Sequence, residues 1–429
     1  MNPKVVDQAS PDEGEDTTWK RTLWVMAATQ GLMMMAFTSS DTFMPLFIEQ
    51  LGVADSAQLH IWSGIIFSSG FLISALAAPI WGSISDRSGR KLMVIRATLA
   101  VTVFTCLMGL TTSVWQLLAI RLLQGVFGGF SGAATALLAT NMPEKRMGYA
   151  LGWMASAAMF GSLIGPLAGG ILVDLLSSYR AVFFLTSGFA LTAFLSVALF
   201  IRKDTLASNN VPSKQKPTLL KQFRAVRELT GLRALFPVLF LAQFSIMSIH
   251  PVLPVYIKEL TDGTEYLGTQ AGFAISVTGM AGLIVSPILG KRGDKLGHRR
   301  MLTICMIGTG LFFLPQALAP NIWVLIASRF GLGLFIGGIL PAANALVAHL
   351  TPIHQRGSVF GFTTSATLLG SFAGPLFGGF MSAAFGTRIM LAAVCVILLV
   401  NVLWVRYFVQ DPPPSASDAY SESVNGTSK

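Results

Sequence analysis

The sequence predicts an all-α membrane protein in which twelve transmembrane helices form two pseudo-symmetric six-helix bundles. Only 12% of its 429 residues are charged, about half the share that soluble domains carry. Apolar runs of about 20 residues, the length that a helix needs to cross a bilayer, recur along the chain. The second six runs also repeat motifs of the first six at an offset of 208–209 residues. Because a bilayer offers no water to backbone polar groups, these runs must be helices.

The predicted spans form two sets of six, separated by a polar and basic segment. The first set lies near 21–48, 60–84, 92–112, 115–140, 147–172 and 180–201, and the second near 234–258, 268–290, 300–319, 322–347, 357–382 and 387–409. We therefore predict a disordered cytoplasmic tail at 1–19, an N-terminal bundle at 20–201, a cytoplasmic linker at 202–233, a C-terminal bundle at 234–409 and a second disordered tail at 410–429. The polar, acidic start of the chain does not fit a signal peptide.

The distribution of basic residues predicts the orientation of the spans. If both termini are cytoplasmic, 25 of the 30 Lys and Arg residues fall on the cytoplasmic side. Three fall on the opposite side, and the other two, Arg121 and Arg329, lie within spans. Positive charge is retained on the cytoplasmic side of membrane proteins. We expect a multi-pass protein of a bacterial cytoplasmic (inner) membrane with both termini in the cytoplasm.

The same composition argues against several other functions. The net charge of +10 is explained by basic cytoplasmic loops, so we do not expect nucleic-acid binding. The three cysteines have neither CxxC nor Cys/His spacing, so no metal site is expected. The sequence has no GxxxxGK[ST] segment and no Ser/His/Asp arrangement in a soluble domain. We therefore expect a protein that is not an enzyme and has no cofactor beyond a coupled proton.

Two glycine-rich basic segments occupy equivalent loops of the two halves. GSISDRSGRKLM (82–93) follows the second span, and GKRGDKLGHRRM (290–301) follows the eighth. These segments resemble the signature loop of the major facilitator superfamily, and the resemblance covers roughly 20–409. It implies a gating role for Gly82, Asp86, Arg87, Gly89, Arg90 and Lys91, and for Gly290, Asp294, Gly297 and Arg299. The alternative is a basic loop that serves only to orient the chain.

A second pattern of small residues occurs in the fifth span. It consists of Gly161, Gly165, Pro166, Gly169 and Gly170, and it recurs as GSFAGPLFGG at 370–379. The pattern resembles the antiporter motif of the drug:proton antiporters in this superfamily, and FIEQLG (47–52) and RKLMVIR (90–96) resemble bacterial multidrug efflux proteins. Generic close packing of membrane helices remains the alternative interpretation.

The few charges inside spans are candidates for proton coupling. Asp41 lies in the first span, and a carboxylate in a low-dielectric span can take up and release a proton. Its equivalent in the repeat is His250, which suggests a proton-sensitive Asp41–His250 latch, unless both groups are merely structural. The resemblance implies proton transfer for Arg121, which lies in LLAIRLLQG (117–125). A purely structural role, tying helices together, stays open for Arg121.

The resemblance to the superfamily implies that residues on the first, fourth and seventh spans line the substrate cavity. They are Gln30, Met34, Phe37, Gln124, Phe240, Gln243, Phe244 and Met247. Met and Phe suit promiscuous apolar binding. We therefore predict a monomeric, proton-coupled antiporter that exports lipophilic small molecules or drugs by alternating access. A dedicated metabolite or siderophore exporter, a symporter of a polar nutrient and a non-transporting receptor are the alternatives.

Overall fold

The computed structural model describes residues 16–143, 146–201, 230–261, 266–351 and 356–409, and these residues are almost entirely helical. In the first half the helices are α1 (Asp16–Gln50), α2 (Ser56–Ser88), α3 (Arg90–Gly109), α4 (Val114–Phe127), α5 (Phe130–Asn141), α6 (Met147–Leu176) and α7 (Tyr179–Phe200). In the second half they are α8 (Thr230–Ser248), α9 (Leu253–Thr261), α10 (Leu267–Leu296), α11 (His298–Ala317), α12 (Ile322–Leu350), α13 (Arg356–Phe385) and α14 (Thr387–Phe408).

Among the described residues, eleven helical stretches are long and apolar enough to cross a membrane. The first predicted span corresponds to α1, which is not among the eleven. Its 35 residues exceed the ~20 that a crossing requires, but it carries the polar run Thr38–Thr42. With α1 as the twelfth span, the predicted all-α membrane class and its element order are confirmed.

Two of the predicted spans are interrupted. The fourth breaks at Gly128 and Gly129, and Gly129 has a φ of +89°, which favours glycine. The seventh breaks between Ser248 and Leu253, where Pro251 has no N–H to donate. His250 therefore lies in a turn. The prediction of one continuous span at 234–258 is therefore corrected at this turn.

The break in the fourth span leaves carbonyl groups without helical partners, and three side chains donate to carbonyls beside it. Ser74 Oγ donates to the Gly125 carbonyl (3.2 Å), Trp81 Nε1 to that of Val126 (2.6 Å), and Arg96 Nη2 to that of Gly128 (2.7 Å). The Arg96 guanidinium also stacks on Trp81, 3.6 Å from the ring centroid. Non-helical backbone at membrane depth persists where such groups satisfy it.

The described residues divide into two compact units. The first comprises the described parts of Met1–Pro212 together with His250–Gly279, and the second those of Ser213–Ile249 and Met280–Lys429. Residues 250–279, which the sequence assigns to the C-terminal bundle, thus pack with the first unit. Helix α1 begins at Asp16 and α8 at Thr230, so a few residues of the predicted tail and linker are helical. The rest of these segments, and 410–429, lie outside the described residues.

Each unit has its own apolar core. In the first unit, one cluster of buried side chains joins α1, α3, α5, α6 and α7. Met26 and Met33 of α1 are fully buried in this cluster. A second cluster of the same unit joins α1 to α2, α4, α7 and α9 and includes Ile48. In the second unit, α8 packs with α11, α12, α13 and α14.

Candidate functional site

A cavity of about 370 Å³ lies in the first unit, between α1, α2, α3, α4 and α5. Five of the residues predicted from the sequence line it: Met34, Phe37, Asp41, Arg121 and Gln124. Apolar walls come from Phe71, Val101 and Phe130, and the glycines at the helix break complete the lining. Residues that were predicted from the sequence in two distant spans thus line one cavity.

Asp41 and Arg121 form an ion pair in this cavity. Arg121 Nη2 donates to Asp41 Oδ1 at 2.8 Å, and Arg121 Nη1 donates to Gln124 Oε1 at 3.0 Å. Gln124 Nε2 in turn donates to Thr105 Oγ1 at 3.0 Å. The network links α1, α3 and α4, so the protonation of one carboxylate can influence three helices.

The ion pair is buried unequally. The Arg121 side chain is 8% exposed, whereas that of Asp41 is 26% exposed. A buried cation that loses its counter-charge is costly, by about 3–5 kcal/mol. Since an arginine does not give up its proton, Asp41 is the member of the pair that can become neutral. The arrangement can therefore convert a proton on Asp41 into a rearrangement around Arg121.

Other predicted cavity residues lie elsewhere. Gln30 is buried in α1 but is not among the described residues that line the cavity. Four more belong to α8 in the second unit: Phe240, Gln243, Phe244 and Met247. There Gln243 Nε2 donates to Ser371 Oγ at 3.1 Å, and Phe244 packs against Phe377 at 5.0 Å between ring centroids. The latch between Asp41 and His250 stays a prediction.

The small residues of the fifth span form the contact of α6 with α1. A Cβ atom added at Gly161 would collide with the carbonyl oxygen of Gly31, and one added at Gly165 would lie 2.6 Å from the Met35 oxygen. A Cβ atom added at Gly169 would collide with the side chains of Ser39 and Phe43. Three successive glycines on one helix face therefore bring the two backbones together.

The other face of the same pattern contacts α10. A Cβ at Gly170 would collide with Gly268, and one at Gly272 would collide with the Pro166 carbonyl. The repeat copy behaves similarly in the second unit, where a Cβ at Gly370 would lie 2.6 Å from the Phe240 oxygen. Packing by small residues is thus observed, while a role of the motif in export stays a prediction.

The signature loops place a glycine between two helices in each half. Gly89 (φ +89°) separates α2 from α3, and Gly297 (φ +87°) separates α10 from α11. Other side chains would be strained in this left-handed region. The side chains of Asp86 and Arg87 lie outside the described part of the chain, and their gating role stays a prediction. A Cβ at Gly82 or Gly290 would meet nothing within 4 Å.

Equivalent cations of the two loops bind equivalent helix ends. Lys91 Nζ donates to the Ala198 carbonyl (3.1 Å) and to that of Ile201, at the end of α7. Arg299, its repeat partner, donates from Nη2 to the Arg406 carbonyl (2.7 Å) at the end of α14. Cations are favourable at a helix C-terminus. These two cations thus bind backbone carbonyls at the ends of equivalent helices.

The two loops differ at one position of the repeat. Arg90 donates from Nη1 to the Ala136 carbonyl at 2.8 Å, whereas His298 occupies the equivalent position in the second loop. The His298 ring stacks on His349 with centroids 5.2 Å apart, and its Nε2 lies 3.8 Å from Asp294 Oδ1. A permanent cation in the first half is therefore replaced by a titratable imidazole in the second.

Two polar contacts join α1 and α6 to α9 and α10 within the first unit. Lys258 Nζ donates to Glu49 Oε1 at 2.5 Å. Asp174, near the end of α6, accepts from the backbone N–H of Gly268 (2.9 Å) and of Thr269 (2.7 Å). A carboxylate at a helix N-terminus satisfies amides that lack helical partners. Asp174 thus caps α10 from another helix.

This cap predicts a measurable loss of stability. We expect Asp174→Ala to lower the free energy of unfolding by about 0.5–2 kcal/mol, because two N-terminal amides of α10 lose their acceptor. Thermal unfolding of the purified protein measures the effect. Asp174→Asn keeps an acceptor oxygen for one of the two amides, so its melting temperature should fall less than that of Asp174→Ala. Equal losses in the two variants would contradict the capping role.

Comparison with known proteins identifies the family. The family model described as Major Facilitator Superfamily matches residues 26–268 and again 235–426. The chain belongs to the major facilitator superfamily. It is 36% identical over 397 residues to the multidrug resistance protein MdtG of Serratia proteamaculans, covering 92% of this chain and 95% of that protein. The MdtG protein of Yersinia enterocolitica is 36% identical over 406 residues, covering 94% and 96%.

Solved structures of the superfamily share the fold. A bacterial homologue of the human lysosomal transporter Spinster, in an inward-facing and unoccupied conformation, superposes with a TM-score of 0.75 at 16% identity and covers 94% of this chain and 100% of its own. The human organic anion transporter MFSD10 gives 0.66 at 19% identity, covering 90% and 99%. The resemblance inferred from the two signature loops is confirmed, and the chain is a multi-pass membrane protein of this superfamily.

Sequence analysis missed several residues of the site in this superfamily member. Arg96 was counted as a loop cation, although it lies seven positions inside α3; its place after an apolar stretch could have marked it as a charge within a span. Trp81 and Ser74 carry no such signal, because their role depends on the break in the neighbouring span. Thr105 is one of many small polar residues in the helices. Asp174 was not predicted to cap a helix.

Proposed function

We propose that this protein is a proton-coupled antiporter that exports lipophilic small molecules by alternating access. The observation that supports it most is the Asp41–Arg121 pair, partly open to a cavity whose other walls are aromatic and aliphatic. The two curated relatives described above are named multidrug resistance proteins. A protonatable carboxylate and an apolar binding surface at one site are what an exchange of protons for lipophiles requires.

The lining supports a lipophilic substrate rather than a polar one. Phe37, Phe71 and Phe130 supply flat apolar surface, and Met34 supplies a flexible side chain that adapts to different shapes. The two charged residues of the lining, Asp41 and Arg121, pair with each other. A nutrient symporter would need more polar groups directed at its substrate, so this alternative has less support.

Coupling to one proton is sufficient for export in energetic terms. An elementary charge crossing about 100 mV is worth roughly 2.3 kcal/mol. A tenfold concentration ratio costs about 1.4 kcal/mol, the same as one pKa unit. One proton per neutral substrate therefore supports a gradient of more than tenfold. Exchange of one proton for a monovalent cation moves no net charge and is driven by the pH gradient alone. In our proposal, protonation of Asp41 releases Arg121 from the ion pair, and this change accompanies the switch between cavity openings.

The proposal includes the cellular setting. We place the protein in a bacterial inner membrane with both termini in the cytoplasm, as the distribution of Lys and Arg supports. We expect it to act as a monomer and as a transporter without enzymatic activity. Alternating access would follow the pattern of other transporters built from repeats.

Transport in proteoliposomes tests this function. The purified protein would be reconstituted with a lipophilic fluorescent cation, and the membrane potential would be clamped near zero with valinomycin and equal potassium. An imposed pH gradient should drive the dye against its own gradient, and nigericin should stop the movement. Protein-free liposomes measure passive leakage. Dye movement that does not respond to the pH gradient, with a neutral lipophile behaving alike, would overturn the proposal.

A further inference from the structure

A cleft of about 430 Å³ lies apart from the transport cavity, at the start of α1 and α6. It is lined by Trp19, Lys20, Leu23, Trp24, Arg146 and Tyr149. Two of these residues are cations and three are aromatic, and none is acidic. The first turn of α6 also contains no acidic residue. The proposed function uses none of these residues.

The cations of the cleft are held by an aromatic ring. The Arg146 guanidinium lies 4.6 Å from the centroid of Trp19, and Lys20 Nζ lies 5.6 Å from the same centroid. Cation–π contacts of this kind help to hold long side chains in place. The cleft therefore places two basic side chains beside one indole.

The opposite wall continues onto the outer surface of the two helices. Trp24 packs edge to face on Trp153 at 4.6 Å between centroids, and Tyr149 lies 6.3 Å from Trp153. Trp24 is 52% exposed, and further along α6 Phe160 is 58% exposed. Trp and Tyr with apolar bodies and polar edges are enriched at the level of lipid headgroups.

We propose that this cleft binds an anionic phospholipid of the cytoplasmic leaflet. Its phosphate would lie between Lys20 and Arg146, and its acyl chains would follow the exposed apolar surface of α1 and α6. Charge complementarity favours an anionic over a zwitterionic lipid, since basic pockets on the cytoplasmic side bind acidic headgroups. The aromatic wall and its continuation along the helices favour a lipid over a free phosphate.

The position of the cleft gives the lipid a structural consequence. Helices α1 and α6 are the pair that the glycines of the fifth span hold together. A lipid that bridges the first turns of the same two helices would stabilise this pair at its cytoplasmic end. A ligand that binds only the folded state raises the melting temperature, and the stabilisation grows with the logarithm of the ligand concentration divided by Kd. This inference does not depend on the transported substrate.

Thermal unfolding in detergent with added lipid tests the proposal. Phosphatidylglycerol should raise the melting temperature of the wild type by several degrees, while phosphatidylcholine of the same acyl chains and inorganic phosphate should not. Lys20→Gln/Arg146→Gln should abolish the shift. Lys20→Arg/Arg146→Lys should keep it, because both charges remain.

Arg21→Gln is the matched control. Arg21 neighbours Lys20 in α1, but its guanidinium lies over Phe200 at 5.7 Å from the centroid and is not part of the cleft. This variant should keep the full shift. An equal shift with phosphatidylcholine, a shift that survives the double Gln variant, or a loss of the shift in Arg21→Gln would each overturn the proposal.

Discussion

Replacing Asp41 with asparagine should abolish transport driven by the pH gradient. The carboxamide cannot exchange a proton, and Arg121 loses the counter-charge that lies 2.8 Å away. A buried cation without its partner costs about 3–5 kcal/mol, so the variant should also unfold at a lower temperature. Dye transport in proteoliposomes and thermal unfolding measure the two effects separately.

Two further variants separate coupling from folding. Asp41→Glu keeps a carboxylate beside Arg121 and should retain gradient-driven transport at a reduced rate. Asp55→Asn also removes a carboxylate, but Asp55 is the N-cap of α2 and accepts from Gln58 N at 2.9 Å. Asparagine caps a helix as well as aspartate does, so this variant should behave as the wild type. Gradient-driven transport that persists in a folded Asp41→Asn protein would remove Asp41 from the coupling reaction.

Replacing Gly161 with alanine should reduce both stability and transport. The added Cβ would collide with the backbone carbonyl of Gly31, which cannot rotate away as a side chain could. Overpacking of a close helix contact costs about 1–3 kcal/mol. We expect a melting temperature lower by several degrees, and transport reduced about tenfold because α1 carries Asp41.

Gly152 provides a control on the same helix. A Cβ there would meet nothing within 4 Å. Alanine is also the better helix former by about 1 kcal/mol, so Gly152→Ala should match or exceed the wild type in stability. If Gly161→Ala and Gly152→Ala behaved alike in unfolding and transport, the close contact between α1 and α6 would be required for neither stability nor transport.

The fold could be predicted because the thickness of the bilayer requires an apolar run of about 20 residues for each span. The helix breaks could not be predicted, since an apolar run has the same composition whether or not its backbone is helical throughout. The break at Gly128 and Gly129 is satisfied by Ser74, Trp81 and Arg96 from other helices. Only the folded chain brings these donors to the freed carbonyls. The turn that holds His250 went unpredicted for the same reason.

The candidate site was predictable in its members but not in its pairs. Charge inside a span marked Asp41 and Arg121, which lie 80 positions apart in the chain. The internal repeat led to His250 as a partner of Asp41, but a repeat shows which positions are equivalent and not which ones touch. Likewise, glycine spacing could not distinguish Gly161 from Gly152. A Cβ added at Gly161 would collide with α1, whereas one added at Gly152 would meet nothing within 4 Å.

The packing of α1 has a consequence for the synthesis of the protein. Asp41 enters the membrane before its counter-charge, because Arg121 follows 80 residues later. At about 5–20 residues per second, the ribosome needs roughly 4–16 s to supply that arginine. The apolar partners of α1 in α6 and α7 come later still. A nascent chain that stops before α4 therefore contains the carboxylate of Asp41 without Arg121, and the contacts of α1 with α6 and α7 form only after those helices have been synthesised.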